Sequence, residues 1–150
     1  MFHRYEHEAE YYPALSRLPL DVRRKLDITG VKISLKDWLV YSLEERTVLC
    51  HLPCDSAEEQ NVFVNYLDFL SRCYAGKPVE MTAVVKSELW DVRAVPIEIL
   101  EKSAALNHPV TLAQWRAWPP HERYALYKTA TSKSQPEAFA QVLKQLKGPR

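Results

Sequence analysis

The sequence predicts an all-α protein: two pseudo-symmetric multi-helix repeats packed into one compact domain and joined by a short extended crossover. Three observations lead there. Glycine is scarce, at 3 of 150 residues, while proline numbers 10; sandwiches and barrels need many glycine-bearing turns. Helix-start signals recur along the chain, each followed by apolar residues at helical spacing. Sliding the chain against itself at a register of 77 residues also sets Pro19 on Pro96, Trp38 on Trp115, Tyr41 on Trp118, Glu45-Arg46 on Glu122-Arg123 and Leu49 on Leu126. The repeats so defined span residues 19–70 and 96–147, with residues 75–95 as the crossover, inside a single domain of residues 1–150. Two copies of this length make a paired domain, not a solenoid.

Each repeat reads as four helices. The first opens at Pro19 (Pro96 in the second repeat), since proline suits an early helical position. It ends near Gly30 (Asn107), residue types that accept the left-handed C-terminal conformation. The second starts at Ser34 (Thr111), where Ser34-Leu-Lys-Asp37 and Thr111-Leu-Ala-Gln114 both form capping-box patterns. The third starts at Ser42 with Glu45 as reciprocal partner; Pro119-Pro120 replaces that cap in the second repeat. The fourth starts near Asp55 or Ser56, and at Ser134 with Glu137. Val62, Tyr66, Phe69 and Cys73 then follow helical spacing, as do Phe139, Val142, Leu143 and Leu146. Ala75-Gly76-Lys77-Pro78 breaks the chain between repeats, and the valine-rich residues 79–95 read as extended, with Trp90 buried. Phe2, Tyr5, Tyr11 and Tyr12 make the N-terminal segment too aromatic for a solvated tail, so it packs on the body.

Composition narrows function without naming it. The net charge is +1, with 47% apolar and 26% charged residues, an ordinary globular balance. A chain of this length buries about 70% of its unfolded surface and needs no metal or disulfide to hold a core. No glycine-rich phosphate loop is present. No run approaches the ~20 apolar residues that span a bilayer, and the first residues lack a signal-peptide layout. Three cysteines form no disulfide framework, so a cytoplasmic location is expected. Charge is uneven: residues 17–36 hold six basic side chains against Asp21 and Asp27, while residues 1–12 are acidic.

From residue 18 the chain reads Leu-Pro-Leu-Asp-Val-Arg-Arg-Lys-Leu-Asp-Ile-Thr-Gly-Val-Lys-Ile-Ser-Leu-Lys-Asp-Trp, continuing through Ser42-Leu-Glu-Glu-Arg46 to Leu52-Pro53-Cys54. This string resembles the nitrate reductase associated protein family, strongly over about residues 17–55 and again over 110–128, where Trp115 and Glu122-Arg123-Tyr124-Ala125-Leu126 fit. The segment after Lys128 departs from the pattern. Members are small, mostly bacterial proteins encoded near assimilatory nitrate reductase and molybdopterin-synthesis genes. The resemblance implies a non-catalytic accessory role in making active molybdenum-dependent nitrate reductase. The implied partner is the reductase or its molybdenum-cofactor assembly machinery. It supplies no catalytic site and no cofactor of the protein's own.

Residue by residue, the candidate partner-binding set is Arg23, Arg24, Lys25, Lys32 and Lys36. Val22 and Leu26 share the inward helix face, so Arg24 and Lys25 should point elsewhere, either as part of a solvated face or toward an acidic partner surface. Trp38 and Trp115 invite a reading as a stacking pair for a flat cofactor, but paired tryptophans more commonly anchor matched cores. Arg46 and Arg123 suit bracing contacts with carbonyls, for which lysine is no substitute. Cys50-His51-Leu52-Pro53-Cys54 lacks the four ligands of a zinc or iron–sulfur site. Cys54 stands before a helix start, where a thiol's pKa can fall. His3 and His7 are spaced like ligands but lie in a terminal segment. No nucleophile, base and orienting group assemble as a triad. Two other readings stay open: a nucleic-acid-binding regulator of nitrogen genes using the basic first helix, and a small thiol- or metal-dependent enzyme using Cys54.

Overall fold

The computed structural model describes residues 2–85, 90–133 and 135–148. It is mostly helical, with eight α-helices and one two-stranded sheet among the described residues. The chain divides into two compact units, Met1–Arg4 with Glu8–Val85, and Tyr5–His7 with Lys86–Arg150.

In the first unit, helix α1 (Leu20–Thr29) follows Pro19, which offers no side-chain cap. The cap comes from farther away. The Glu8 carboxylate, in the 3-10 helix Glu6–Tyr11, accepts the Leu20 N–H at 2.9 Å and the Tyr12 hydroxyl at 2.7 Å, and Tyr11 donates to it as well. A carboxylate at a helix N-terminus satisfies an orphan donor and the helix dipole together. At the other end Gly30 adopts φ +76°, and a Cβ there would lie 2.7 Å from the Thr82 carbonyl oxygen. That close approach carries the Thr82 N–H to Gly30 O at 2.7 Å and aligns strand β1 (Val31–Lys32) antiparallel to β2 (Glu80–Met81), Lys32 opposite Glu80. Helices α2 (Leu35–Val40), α3 (Leu43–His51) and α4 (Ala57–Ala75) each begin with a complete capping box: Ser34 with Asp37, Ser42 with Glu45, Ser56 with Glu59. Their inward side chains join Val22, Leu26, Trp38, Leu49, Phe63, Leu67 and Leu70 in one core.

The second unit runs through α5 (Ile97–Ala105), α6 (Leu112–Ala117), α7 (Pro120–Thr131) and α8 (Pro136–Lys147). Thr111 and Gln114 complete the capping box of α6, and Pro119 stands at the N-cap of α7 with proline again at its first position. Asn107 takes a positive φ of 61° just after α5. The expected cap at Ser134 lies outside the described residues; α8 opens at Pro136 with Gln135 before it and no side-chain cap bond. The Tyr5 hydroxyl donates to His121 O at 3.0 Å, and Tyr5 is buried.

One expectation from spacing needs correction. The stripe Val62, Tyr66, Phe69 and Cys73 marks α4 as helical, but its inward face is Phe63, Leu67 and Leu70. Val62 and Phe69 are 55% and 59% exposed. In α8 the buried face is Phe139, Val142, Leu143 and Leu146. Phe63, Leu67 and Leu70 match Phe139, Leu143 and Leu146 in spacing at an offset of 76, not the 77 that holds from Pro19 to Leu49. A one-residue shift turns every later side chain by about 100° around the helix, which is enough to exchange faces.

Gly30 and Gly76 both have positive φ, but nothing lies within 4 Å of a Cβ at Gly76. Gly76→Ala is therefore expected to cost about 1 kcal/mol of unfolding free energy, from backbone strain alone. Gly30→Ala adds a backbone clash and should cost more than about 2 kcal/mol, read from urea midpoints.

Candidate partner-binding surface

The five basic residues singled out in the sequence separate into two groups. Arg24 and Lys25 are buried; Lys25 is fully enclosed. Both face Asp21, itself buried, with Arg24 Nε 3.1 Å from its carboxylate and Lys25 Nζ at 3.8 Å. The Lys25 ammonium also donates to the carbonyls of Leu49 at 3.1 Å and Cys50 at 2.7 Å. Those carbonyls belong to the last turn of α3, where no further helical N–H follows to take them. The expectation that Arg24 and Lys25 point to a partner is thus corrected. Helix α1 packs against α3, α4 and β1, so more than the Val22–Leu26 face is enclosed. The end of α3 also needs a donor, and a cation there suits the helix dipole. Burial pulls the Lys25 ammonium below the ordinary lysine range, and Asp21 opposes that shift. On the other side, Asp21 accepts the His3 N–H at 3.0 Å. This cluster joins the N-terminal segment, α1 and α3.

Cys54 is also corrected. It is buried, and burial pushes its thiol up to about 11; Cys50 is pushed up to about 12 for the same reason. Helix α4 starts only at Ala57, and its free N–H groups meet Ser56 and Glu59 instead of a thiol. Among the described residues no group of three or more His, Cys, Asp and Glu side chains is placed to hold a metal ion.

Trp38 and Trp115 are fully buried, and each indole N–H reaches a backbone carbonyl: Leu15 O at 2.7 Å and Asp91 O at 2.5 Å. Arg46 donates to Tyr41 O and to the carbonyls of Ala14 and Leu15. Arg123 donates to Trp118 O and, at 2.8 Å, to Trp90 O. Trp90 is buried edge-on against Tyr124, ring centres 5.0 Å apart. In each unit a tryptophan and an arginine hold the irregular chain that precedes the first helix. The fork of the guanidinium lets one side chain serve two carbonyl positions.

The exposed members are Arg23, Lys32 and Lys36. Lys32, Lys36 and Lys77 line a cleft of about 320 Å³ together with Ile33, Val40, Tyr41, Tyr74 and Val79. The rings of Tyr41 and Tyr74 lie 5.8 Å apart, and the Tyr74 hydroxyl donates to Glu45 at 2.6 Å. That bond, with the Ser42 amide, holds the Glu45 carboxyl below its ordinary range. Lys32 lies 3.8 Å from Glu80, both largely solvated, a pairing of little energetic weight. Sequence reasoning missed Lys77, which reads as part of a chain break, and Tyr74. It also missed the burial of Glu8, whose only local signal is tyrosine at the third and fourth positions after it.

The profile of the conserved nitrate reductase-associated protein family matches residues 4–146. The chain belongs to that family. The match runs through both compact units and includes the α1 cluster, the cleft lysines, both Trp–Arg pairs and Cys54. No curated protein and no solved structure matches the chain. No helix among the described residues is long and apolar enough to cross a membrane.

Lys25→Met leaves Asp21 short of a partner and two carbonyls without their donor. It should cost about 3–5 kcal/mol in urea unfolding, whereas Lys36→Met at the exposed cleft should stay within about 0.5 kcal/mol. With their pKa values raised, Cys50 and Cys54 stay protonated at pH 8. In the native protein a disulfide reagent should therefore label only the exposed Cys73 quickly, all 3 thiols reacting once urea unfolds the chain.

Proposed function

We propose that the protein is a non-catalytic accessory factor in the cytoplasm that binds a molybdenum-dependent assimilatory nitrate reductase, or its cofactor-assembly machinery, during maturation. The observation that carries this reading is family membership over residues 4–146. The chemistry of the first unit supports it. The titratable groups inside it, Glu8, Asp21, Arg24 and Lys25, engage one another, helix ends and backbone, while Lys32, Lys36 and Lys77 face solvent at a cleft. Such a protein acts by binding one conformation of its partner better than others, for instance an open enzyme awaiting cofactor, and so shifts the population.

We also read the two units as diverged copies of one ancestral unit. Prolines stand at the N-caps of α1 and α5. Six-residue helices α2 and α6 carry matching capping boxes around a buried tryptophan. Arg46 and Arg123 bond the equivalent carbonyls Tyr41 O and Trp118 O.

Nucleic-acid binding through the first helix loses its footing with Arg24 and Lys25 buried, since Arg23 alone of that triplet is exposed. Deleting the gene in a nitrate-grown host tests the accessory role. Nitrate reductase activity should fall several-fold while the reductase polypeptide remains detectable by immunoblot. Full activity in the deletion strain would refute it.

A further inference from the structure

Helix α2 buries only Trp38. Leu35, Leu39 and Val40 are 46%, 47% and 50% exposed, and Leu43 at the start of α3 is exposed too. Leu35 and Leu39 lie one helical turn apart on the same face. Val40 lines the cleft that Lys32, Lys36 and Lys77 surround. An apolar patch thus continues into a basic cleft, on a part of the fold where the second unit provides a built-in comparison.

Helix α6 has the same length, the same capping box and the same buried tryptophan as α2. At the register of 77, Leu39 and Val40 correspond to Arg116 and Ala117, and Leu43 to Pro120. Lys32 and Lys36 correspond to Pro109 and Ala113. Leu35 is kept as Leu112, which is also exposed, but Leu39, Val40, Leu43 and the lysines are therefore not required to build this helix or seat its tryptophan. Exposed apolar side chains carry a solvation penalty, and α6 avoids it at the positions of Leu39, Val40 and Leu43 while keeping it at Leu112. Their joint presence on α2 calls for an occupant.

We propose that the α2 face and its lysine cleft dock an acidic amphipathic segment of a partner protein. Its apolar side chains cover Leu35, Leu39 and Leu43, and its carboxylates meet Lys32, Lys36 and Lys77. Charge selects this occupant. Three ammonium groups line the cleft against two carboxylates, Asp37 and Glu80. Asp37 already accepts the Ser34 N–H at 2.8 Å as part of its capping box. Apolar contacts at the centre supply affinity, and the lysines at the rim speed encounter and fix orientation. This inference gives the accessory reading a surface, but it stands on the asymmetry between the helices and not on which enzyme is served.

The test keeps nitrate reductase out of its first arm. Peptides of about 16 residues, long enough for four helical turns, are selected from a random display library on the full-length protein and measured by fluorescence anisotropy. The selected peptides should combine Asp or Glu with Leu, Phe or Ile at helical spacing. Their affinity should fall about tenfold or more with Leu39→Arg, and by a similar factor with Lys36→Glu plus Lys77→Glu. It should also weaken as salt rises. Neutral or basic selected peptides, or binding untouched by both variants, would overturn the proposal; circular dichroism and urea midpoints confirm that the variants fold. In the second arm Leu39→Arg replaces the wild type in the host. Loss of nitrate reductase activity ties the surface to the accessory role. Full activity from this variant, in a host where deletion lowers activity several-fold, removes the surface and leaves the role standing.

Discussion

Two carbonyls at the end of α3, Leu49 O and Cys50 O, have no helical N–H left to pair with, and the ammonium that takes both comes from Lys25 on α1. The first unit depends on that junction. Lys25 carries its charge into a fully enclosed site, where an unpaired ion would be untenable. Asp21, one turn earlier on the same helix, makes it tenable, and Arg24 and the His3 N–H complete the carboxylate's partners. Buried ion pairs add little net stability over apolar substitutes, but their geometry admits few alternatives. Here the geometry sets how α1 meets the end of α3. From α1 the chain passes through Gly30 directly into β1, which carries Lys32 to the rim of the cleft.

The basic residues of the first unit accordingly perform two different tasks. Arg24 and Lys25 are internal fasteners, comparable to Arg46 and Arg123, which hold irregular chain by its carbonyls. Lys32, Lys36 and Lys77 stay in water, where a charge is inexpensive and available to another molecule. This division fits a protein that acts by contact. Inside, charge is enclosed by its partners at the edge of an apolar core, and the outward charge borders an apolar face. It also explains how a chain with a formal charge of only +1 can present a locally basic cleft.

Much of this was readable without coordinates wherever the physics is local. Ser34 and Asp37, Ser42 and Glu45, Ser56 and Glu59, Thr111 and Gln114 are each three residues apart, so each helix start is decided by neighbours along the chain. Gly30 ends α1 because glycine accepts the left-handed φ of +76° that closes the helix. The mainly helical class and the family follow from the same short strings.

Other features depend on residues far apart in sequence, and only the tertiary structure decided them. Lys25 is buried because its acceptors stand 24 and 25 positions away. Glu8 is buried because it caps a helix beginning 12 residues later. Cys54 lost its expected activation because α4 starts beyond it and the surrounding chain encloses the thiol. Helix α4 carries two adjacent apolar stripes, and periodicity alone cannot say which one turns inward; the packing of α1 and its neighbours chose Phe63, Leu67 and Leu70. Lys77 joined Lys32 and Lys36 only because the chain after α4 returns to pair with β1. The sequence by itself thus determined the starts of α2, α3, α4 and α6, since a capping box acts within three residues. The fold alone decided which charges are enclosed and which are offered, since burial is a property of everything that packs around a side chain.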